Sequence, residues 1–205
     1  MPRYMIPAVP LHRVEDTIKR SRFIVTLGPV ASPEEAHAFV DTIRNEFPDA
    51  THHCWAYLAG AAGDTAYVGM SDDGEPHGTA GRPMLNVLLH SGVGQVATVV
   101  TRYFGGIKLG TGGLVRAYAG MVQLGLENLE LREKITPVSL EVVLDYSNIT
   151  LFKRMLSEFE VAIVAEDYGA DACFHISLPQ ENRQAFEEAL QEMTNGLSLV
   201  STLET

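Results

Sequence analysis

The chain has 205 residues, 46 % apolar and 20 % charged, with a formal net charge of −11. That composition supports a packed core and excludes an intrinsically disordered chain, and no apolar run reaches the roughly 18 residues of a membrane span. The net charge argues against a uniformly nucleic-acid-coated surface, but it is unevenly distributed: residues 1–135 hold 12 Lys+Arg against 14 Asp+Glu, and residues 136–205 hold 3 against 12.

A turn-rich lead is followed by a strand-like run from Arg22 to Leu27. Ser32-Pro-Glu-Glu35 then reads as a helix start, with Ser32 as cap, Pro33 at the first helical position and Glu35 closing a capping box. Ala36, Phe39, Val40, Ile43 and Phe47 keep helical spacing until Pro48. A strand is expected over 51–59, with a hairpin partner over 64–70 across the turn Gly60–Gly63. Ser71 to Pro76 reads as a loop, 84–89 as a short helix, 96–100 as a strand buried on both faces, and Leu114 to Leu126 as a longer helix.

The pattern restarts near Lys134–Pro137, so two domains are expected, 1–135 and 136–205. Beyond the boundary the elements run strand (138–144), helix (capped by Asn148), strand (161–168), strand (172–178), helix (ending at Gly196) and strand (197–203). This β-α-β-β-α-β order within about 70 residues is that of a ferredoxin-like domain, so the fold class is α+β. Cys54 and Cys173 fall in different domains, so a disulfide is not expected, and with no signal peptide in view the expected location is the cytoplasm.

One segment stands out. From Pro76 to Leu126 there is no Asp or Glu, while Arg82, Arg102, Lys108 and Arg116 are present; nine of the 18 glycines lie between Gly92 and Gly125. A strand, a glycine-rich turn and a helix start would direct free N–H groups and the positive end of a helix dipole at one place. The expected anion or RNA site comprises Arg22, Arg82, Arg102, Lys108, Arg116 and the amides near Thr111 and Gly112, with Tyr103, and Phe104 beside it, offering rings for base stacking. There is no P-loop and no complete dinucleotide fingerprint. The competing explanation is that the glycines serve tight turns and close helix–strand packing.

Asp72, Asp73 and Glu75 are candidate ligands for Mg²⁺ or an acid–base set; equally, they are turn carboxylates or partners of Arg82 or Arg102. His52, His53 and Cys54 are consecutive on a strand, which puts His52 and Cys54 on one face and His53 on the other, so a shared zinc ion is not expected. Cys54 as a nucleophile lacks a visible base. Cys173 and His175 fall on the non-core face of their strand, and the pattern assigns them no role.

Four strings in order, Lys19-Arg-Ser-Arg-Phe23, His52-His-Cys-Trp-Ala56, Ser71-Asp-Asp-Gly-Glu-Pro76 with Gly78-Thr-Ala-Gly-Arg-Pro-Met84, and Arg102-Tyr-Phe-Gly-Gly-Ile-Lys-Leu-Gly-Thr-Gly-Gly-Leu114, closely resemble the hallmarks of the IMPACT family. The resemblance implies a first domain folded like the second domain of small-subunit ribosomal protein five and domain IV of elongation factor G, and a ferredoxin-like second domain. It implies a translation-linked role facing RNA or the ribosome; together with the charge segregation, the expectation is a non-enzymatic module binding RNA, the ribosome or a translation-associated protein, with no cofactor and no membrane partner. The kinase-restraining activity of the eukaryotic namesake depends on an additional N-terminal domain and is not expected here. Two alternatives remain open from sequence: a Mg²⁺-dependent enzyme acting on a phosphorylated small molecule or nucleotide, and a protein-binding adaptor that uses the acidic second domain.

Overall fold

The computed structural model describes residues 3–203. The chain divides into two compact units, one formed by Tyr4–Lys134 and one by the chain from Ile135 together with Arg3.

In the first unit, β1 (Tyr4–Pro7) pairs with β7 (Leu131–Lys134) in a two-stranded ribbon. The main sheet holds β2 (His12–Ile18), β3 (Ser21–Pro29), β4 (His52–Leu58), β5 (Val68–Ser71) and β6 (Val96–Tyr103), in the order β2-β3-β6-β4-β5 and antiparallel throughout. Helix α1 (Pro33–Glu46) lies on one face, where Val40 and Ile43 meet Val99. Helices α2 (Gly81–His90) and α3 (Thr111–Glu127) lie on the other, where Met84, Leu88, Leu114, Tyr118 and Met121 meet Phe23, Val25, Cys54 and Val100. With both faces covered, β6 is buried over all but its last residue. This is why it reads as a continuous apolar run rather than an alternating one.

Local chemistry explains the α1 start. Ser32 accepts from the Glu35 N–H at 3.2 Å with Pro33 at the first position, while the Glu35 carboxylate reaches back to the Ala31 N–H at 2.7 Å. Three strands went unread in the sequence. β2, with its polar run His12-Arg-Val-Glu-Asp-Thr-Ile18, is a sheet edge whose residues are half-buried or exposed, so it carries little apolar signal. β1 and β7 are four residues each and pair with one another, β1 also meeting the chain at Val93–Gly94. β6 also runs on to Tyr103, three residues past the expected end, because β3 and β4 both pair with it that far or nearly so.

In the second unit, β8 (Pro137–Leu144), β9 (Ala162–Tyr168), β10 (Ala172–Pro179) and β11 (Leu199–Thr202) form an antiparallel sheet in the order β11-β8-β10-β9. Helices α4 (Ile149–Met155, prolonged by a 3₁₀ turn to Phe159) and α5 (Arg183–Met193) pack on one face through Phe152, Leu156, Phe186 and Leu190. The order and connections are those of a ferredoxin-like domain. Two details differ from expectation: the Asn148 side chain makes no capping bond, and Gly196 closes the α5 turn at φ +78° after the helix proper has ended.

Candidate functional site

Helix α3 opens abruptly. Gly110, at φ +76°, turns the chain into it, and the first intrahelical bond runs from the Leu114 N–H to the Gly110 carbonyl at 2.9 Å. The N–H groups of Thr111, Gly112 and Gly113 therefore have no acceptor within the helix. Among the described residues no side chain caps this end, and no acid occupies its first turn. Thr111 and Gly112 are exposed, so the amides face water with the dipole behind them.

Positive charge gathers around this end. Lys108 and Arg116 are exposed and neither meets a carboxylate among the described residues. Across from them lies the β2–β3 hairpin, whose two-residue turn is Lys19–Arg20. Both residues take left-handed backbone angles (φ +46° and +67°), as the tight hairpin turn requires. A groove of about 210 Å³ is lined by Ile18 and Lys19 from the hairpin, Leu109 from the loop, and Gly113, Arg116 and Ala117 from α3. The loop reaches the hairpin only because residue 105 is glycine: a Cβ there would stand 1.8 Å from the Arg20 carbonyl oxygen. Ser21 Oγ ties the two together, accepting from the Gly105 N–H at 3.2 Å. Lys19 and Arg20 were absent from the expected site. The signal that could have found them is the short basic run Lys19-Arg20 with Arg22.

The remaining basic residues lie elsewhere. Arg102 is 5 % exposed. On β6 it falls in register with Val96, Thr98 and Val100, so it points beneath α3 and not outward with Tyr103. There it binds the Glu75 carboxylate and, at 3.2 Å, Ser21 Oγ, between the rings of Phe23 and Phe104 (5.3 and 5.6 Å). Tyr118 donates its hydroxyl to the same Glu75 oxygen at 2.8 Å, and burial pushes its phenol far above the ordinary range. An arginine so enclosed is a structural charge and does not reach a ligand at the α3 terminus. Arg22 lies on the α1 side of the sheet, bidentate to Glu15 (2.7 and 2.8 Å) and over the Tyr103 ring at 5.4 Å. Tyr103 is half-buried, gives its hydroxyl to Asp49 at 2.9 Å, and so has one face covered by Arg22. The more exposed ring is Phe104, 48 % exposed, with Arg102 5.6 Å from its centroid on one side. Arg82 is exposed on the opposite flank of α3, in the groove between α2 and α3 with Asn86, Val115 and Gln123. Of the expected residues, Thr111, Gly112 and Arg116 thus share the start of α3, and Lys108 is exposed in the loop two residues before Gly110.

The carboxylates of the 71–76 loop are turned inward. Asp72 accepts from the N–H groups of Gly78, Ala80 and Gly81 (2.7, 3.0 and 2.9 Å), supplying the cap that the α2 start lacks in its own Ala80. Burial works to raise its pKa, yet these three bonds outweigh it and hold the carboxyl below its ordinary value. Asp73 takes the Arg44 guanidinium and the His53 N–H, both at 2.7 Å. Both oxygens of Asp72 and of Asp73, and Oε1 of Glu75, are thus occupied by protein donors, the pairing of Glu75 with Arg102 being one of the alternatives open from sequence. His52 Nδ1 donates to the Asp73 carbonyl at 2.8 Å, His53 Nε2 to the Phe47 carbonyl at 3.1 Å, and Cys54 Sγ to the Asp72 carbonyl at 3.0 Å. Cys54 is fully buried and burial raises its thiol far above the ordinary range, which makes it inert as a nucleophile.

Comparison with known proteins assigns the lineage. The Impact N-terminal domain pattern matches residues 19–126, and a domain of unknown function, DUF1949, matches residues 142–197. The chain is 43 % identical over 196 residues to IMPACT family member YigZ of Escherichia coli, covering 96 % of each. It is 39 % identical over 204 residues to an IMPACT family member of Haemophilus influenzae, covering 100 % of this chain and 98 % of the other. A crystal structure described as that of a hypothetical protein superposes with a TM-score of 0.67 at 41 % identity, over 100 % of this chain and 98 % of that one. The family pattern runs from the Lys19–Arg20 turn through the glycine loop and nearly all of α3, and the full-length relatives extend the match through the ferredoxin-like unit: the chain belongs to the IMPACT family.

Proposed function

We propose that the first domain binds the phosphate backbone of RNA, free or within the ribosome, and that the protein acts in translation as a binding module without chemistry of its own. The observation that supports this reading is that Lys19 and Arg116 line one groove at the start of α3, whose first three amides have no side-chain cap, with exposed Lys108 two residues before Gly110. An exposed Phe104 beside them offers a sequence-tolerant stacking face. Local fields decide such an encounter, since screening confines the acidic second domain's influence to about 8–10 Å at physiological salt. The translation link rests on the family resemblance and on likeness of fold, and the occupied carboxylates of Asp72, Asp73 and Glu75 weigh against the phosphate-processing enzyme.

The test is filter binding of purified ribosomes and of transfer RNA to the full chain over a series of salt concentrations. Affinity is expected to fall log-linearly with salt, and Lys108→Ala with Arg116→Ala to lower the slope by about 1 for each phosphate no longer neutralised. Salt-independent binding, or an unchanged slope in the double variant, overturns the reading.

A further inference from the structure

The second domain holds a group of side chains that the first domain's function does not use. Alternation along β8 sends Leu140, Val142 and Leu144 to the helix-covered core and Glu141 to the other face. Along β10 it sends Phe174 and Ile176 inward and Cys173 and His175 outward, two residues apart on one face. The ladder sets His175 directly across from Glu141, and their nearest atoms, Nε2 and Oε2, are 3.2 Å apart. One donor atom from each of Glu141, Cys173 and His175 lies within 4.8 Å of the other two. Among the described residues this is the group of three that meets that condition.

We propose that Glu141, Cys173 and His175 form a binding site for a single borderline divalent cation, zinc in the first instance. Thiolate, imidazole and carboxylate are the donor types that zinc takes, at bond lengths of about 2.0–2.3 Å. Tetrahedral coordination at those lengths places ligand atoms about 3–4 Å from one another, so the three side chains need close by only about 1 Å, within reach of a rotamer adjustment. Without a metal, Glu141 pairs with His175 and also accepts a hydrogen bond from the Cys173 thiol, so the same carboxylate already draws the three side chains together. Strands hold the ligands, so the backbone needs no rearrangement. Ser201 on β11 faces Glu141 across the ladder, its hydroxyl 3.4 Å from the second carboxylate oxygen, where it would fix the carboxylate from outside. Asp167 on β9 stands opposite Cys173 and adds negative charge to the same face. His175 and Glu141 keep 44 % and 36 % of their side-chain surface, so solvent reaches the fourth position. Binding is accompanied by loss of the Cys173 proton to the buffer, and the imidazole enters neutral. Hard cations such as Mg²⁺ prefer all-oxygen sites and are not expected to compete.

The experiment titrates Zn²⁺ into the untagged, metal-stripped full chain against a chromophoric chelator, and in parallel records the absorption spectrum with Co²⁺. One equivalent is expected, with an intense thiolate-to-cobalt charge-transfer band and no displacement by excess Mg²⁺. Cys173→Ser removes the band, and Cys173→Ser, His175→Ala and Glu141→Gln each weaken zinc binding at least about tenfold. All three positions are partly solvent-exposed on a sheet face, and circular dichroism verifies that each variant is folded. No stoichiometric binding, a band that survives Cys173→Ser, or equal competition by Mg²⁺ overturns the proposal. None of these outcomes touches RNA binding by the first domain.

Discussion

Arg102 and Arg116 belong to the same acid-free, glycine-rich segment and meet opposite fates. Arg102 ends a strand whose two faces are both covered, and the register delivers it to Glu75, Ser21 and Tyr118 beneath α3. Arg116 lies on the first turns of α3, exposed beside Lys19 and three free amides. A charge in a basic run is therefore not yet a binding residue: burial decides whether it holds the fold together or faces a ligand. Glycine serves both regions, letting the loop pack on the hairpin at Gly105 and turning the chain into α3 at Gly110.

The largest effect separating the two regions is expected from the buried pair. Arg102→Ala or Glu75→Ala leaves the partner charge enclosed and costs about 3–5 kcal/mol, read by urea or thermal unfolding. Replacing both with apolar residues costs less than the sum of the single changes, as a double-mutant cycle records. A loss below about 1 kcal/mol for Arg102→Ala would remove the distinction drawn between the arginines.

Gly105→Ala is expected to cost about 1–3 kcal/mol, because its Cβ meets backbone and not a yielding side chain. It also separates the loop from the Lys19–Arg20 turn, so any RNA affinity should fall with it, at temperatures where the variant is still folded.

Asp72→Ala removes the side-chain cap of α2 and is expected to cost about 1 kcal/mol. Its pH dependence follows from its lowered pKa. A carboxylate favoured in the fold contributes above its unfolded value near 3.9, and the contribution is lost as pH falls from there through the lower folded value. His53 acts on the same side. Burial, outweighing the attraction of Asp73, holds the imidazole below its ordinary value near 6.5, so the unfolded chain takes up a proton first and stability declines as pH drops past that point. Melting temperatures measured from pH 7 to pH 3 should decline in two stages, and Asp72→Asn should flatten the lower one.

The smallest effect on stability, and the one that sharpens the comparison most, is expected from Lys108→Ala with Arg116→Ala. Both side chains are exposed and meet no carboxylate among the described residues, so unfolding should shift by less than about 0.5 kcal/mol. Any change in RNA affinity then reports on binding and not on folding.

Much of this was written in the chain. Periodicity located the helices, capping chemistry placed the start of α1, and alternation revealed the ferredoxin-like order of the second domain. The absence of acid from 76–126 pointed to the start of α3. The unread strands β1, β2 and β7 are short or solvent-facing, and their pairing depends on distant partners that no local pattern displays.

What only the tertiary structure decided was direction. The sequence by itself determined which charges exist and which residues share a face of a strand, because side-chain period is a local property of the backbone. It did not determine which face would be buried in β6, where both are covered, so Arg102 and Tyr103 could not be sorted into inside and outside. Nor did it determine that Lys19 would stand across a groove from Arg116, or Glu141 across a ladder from His175. Those pairings join residues 97 and 34 positions apart, and only the packing of sheet on helix and strand on strand brings them within reach.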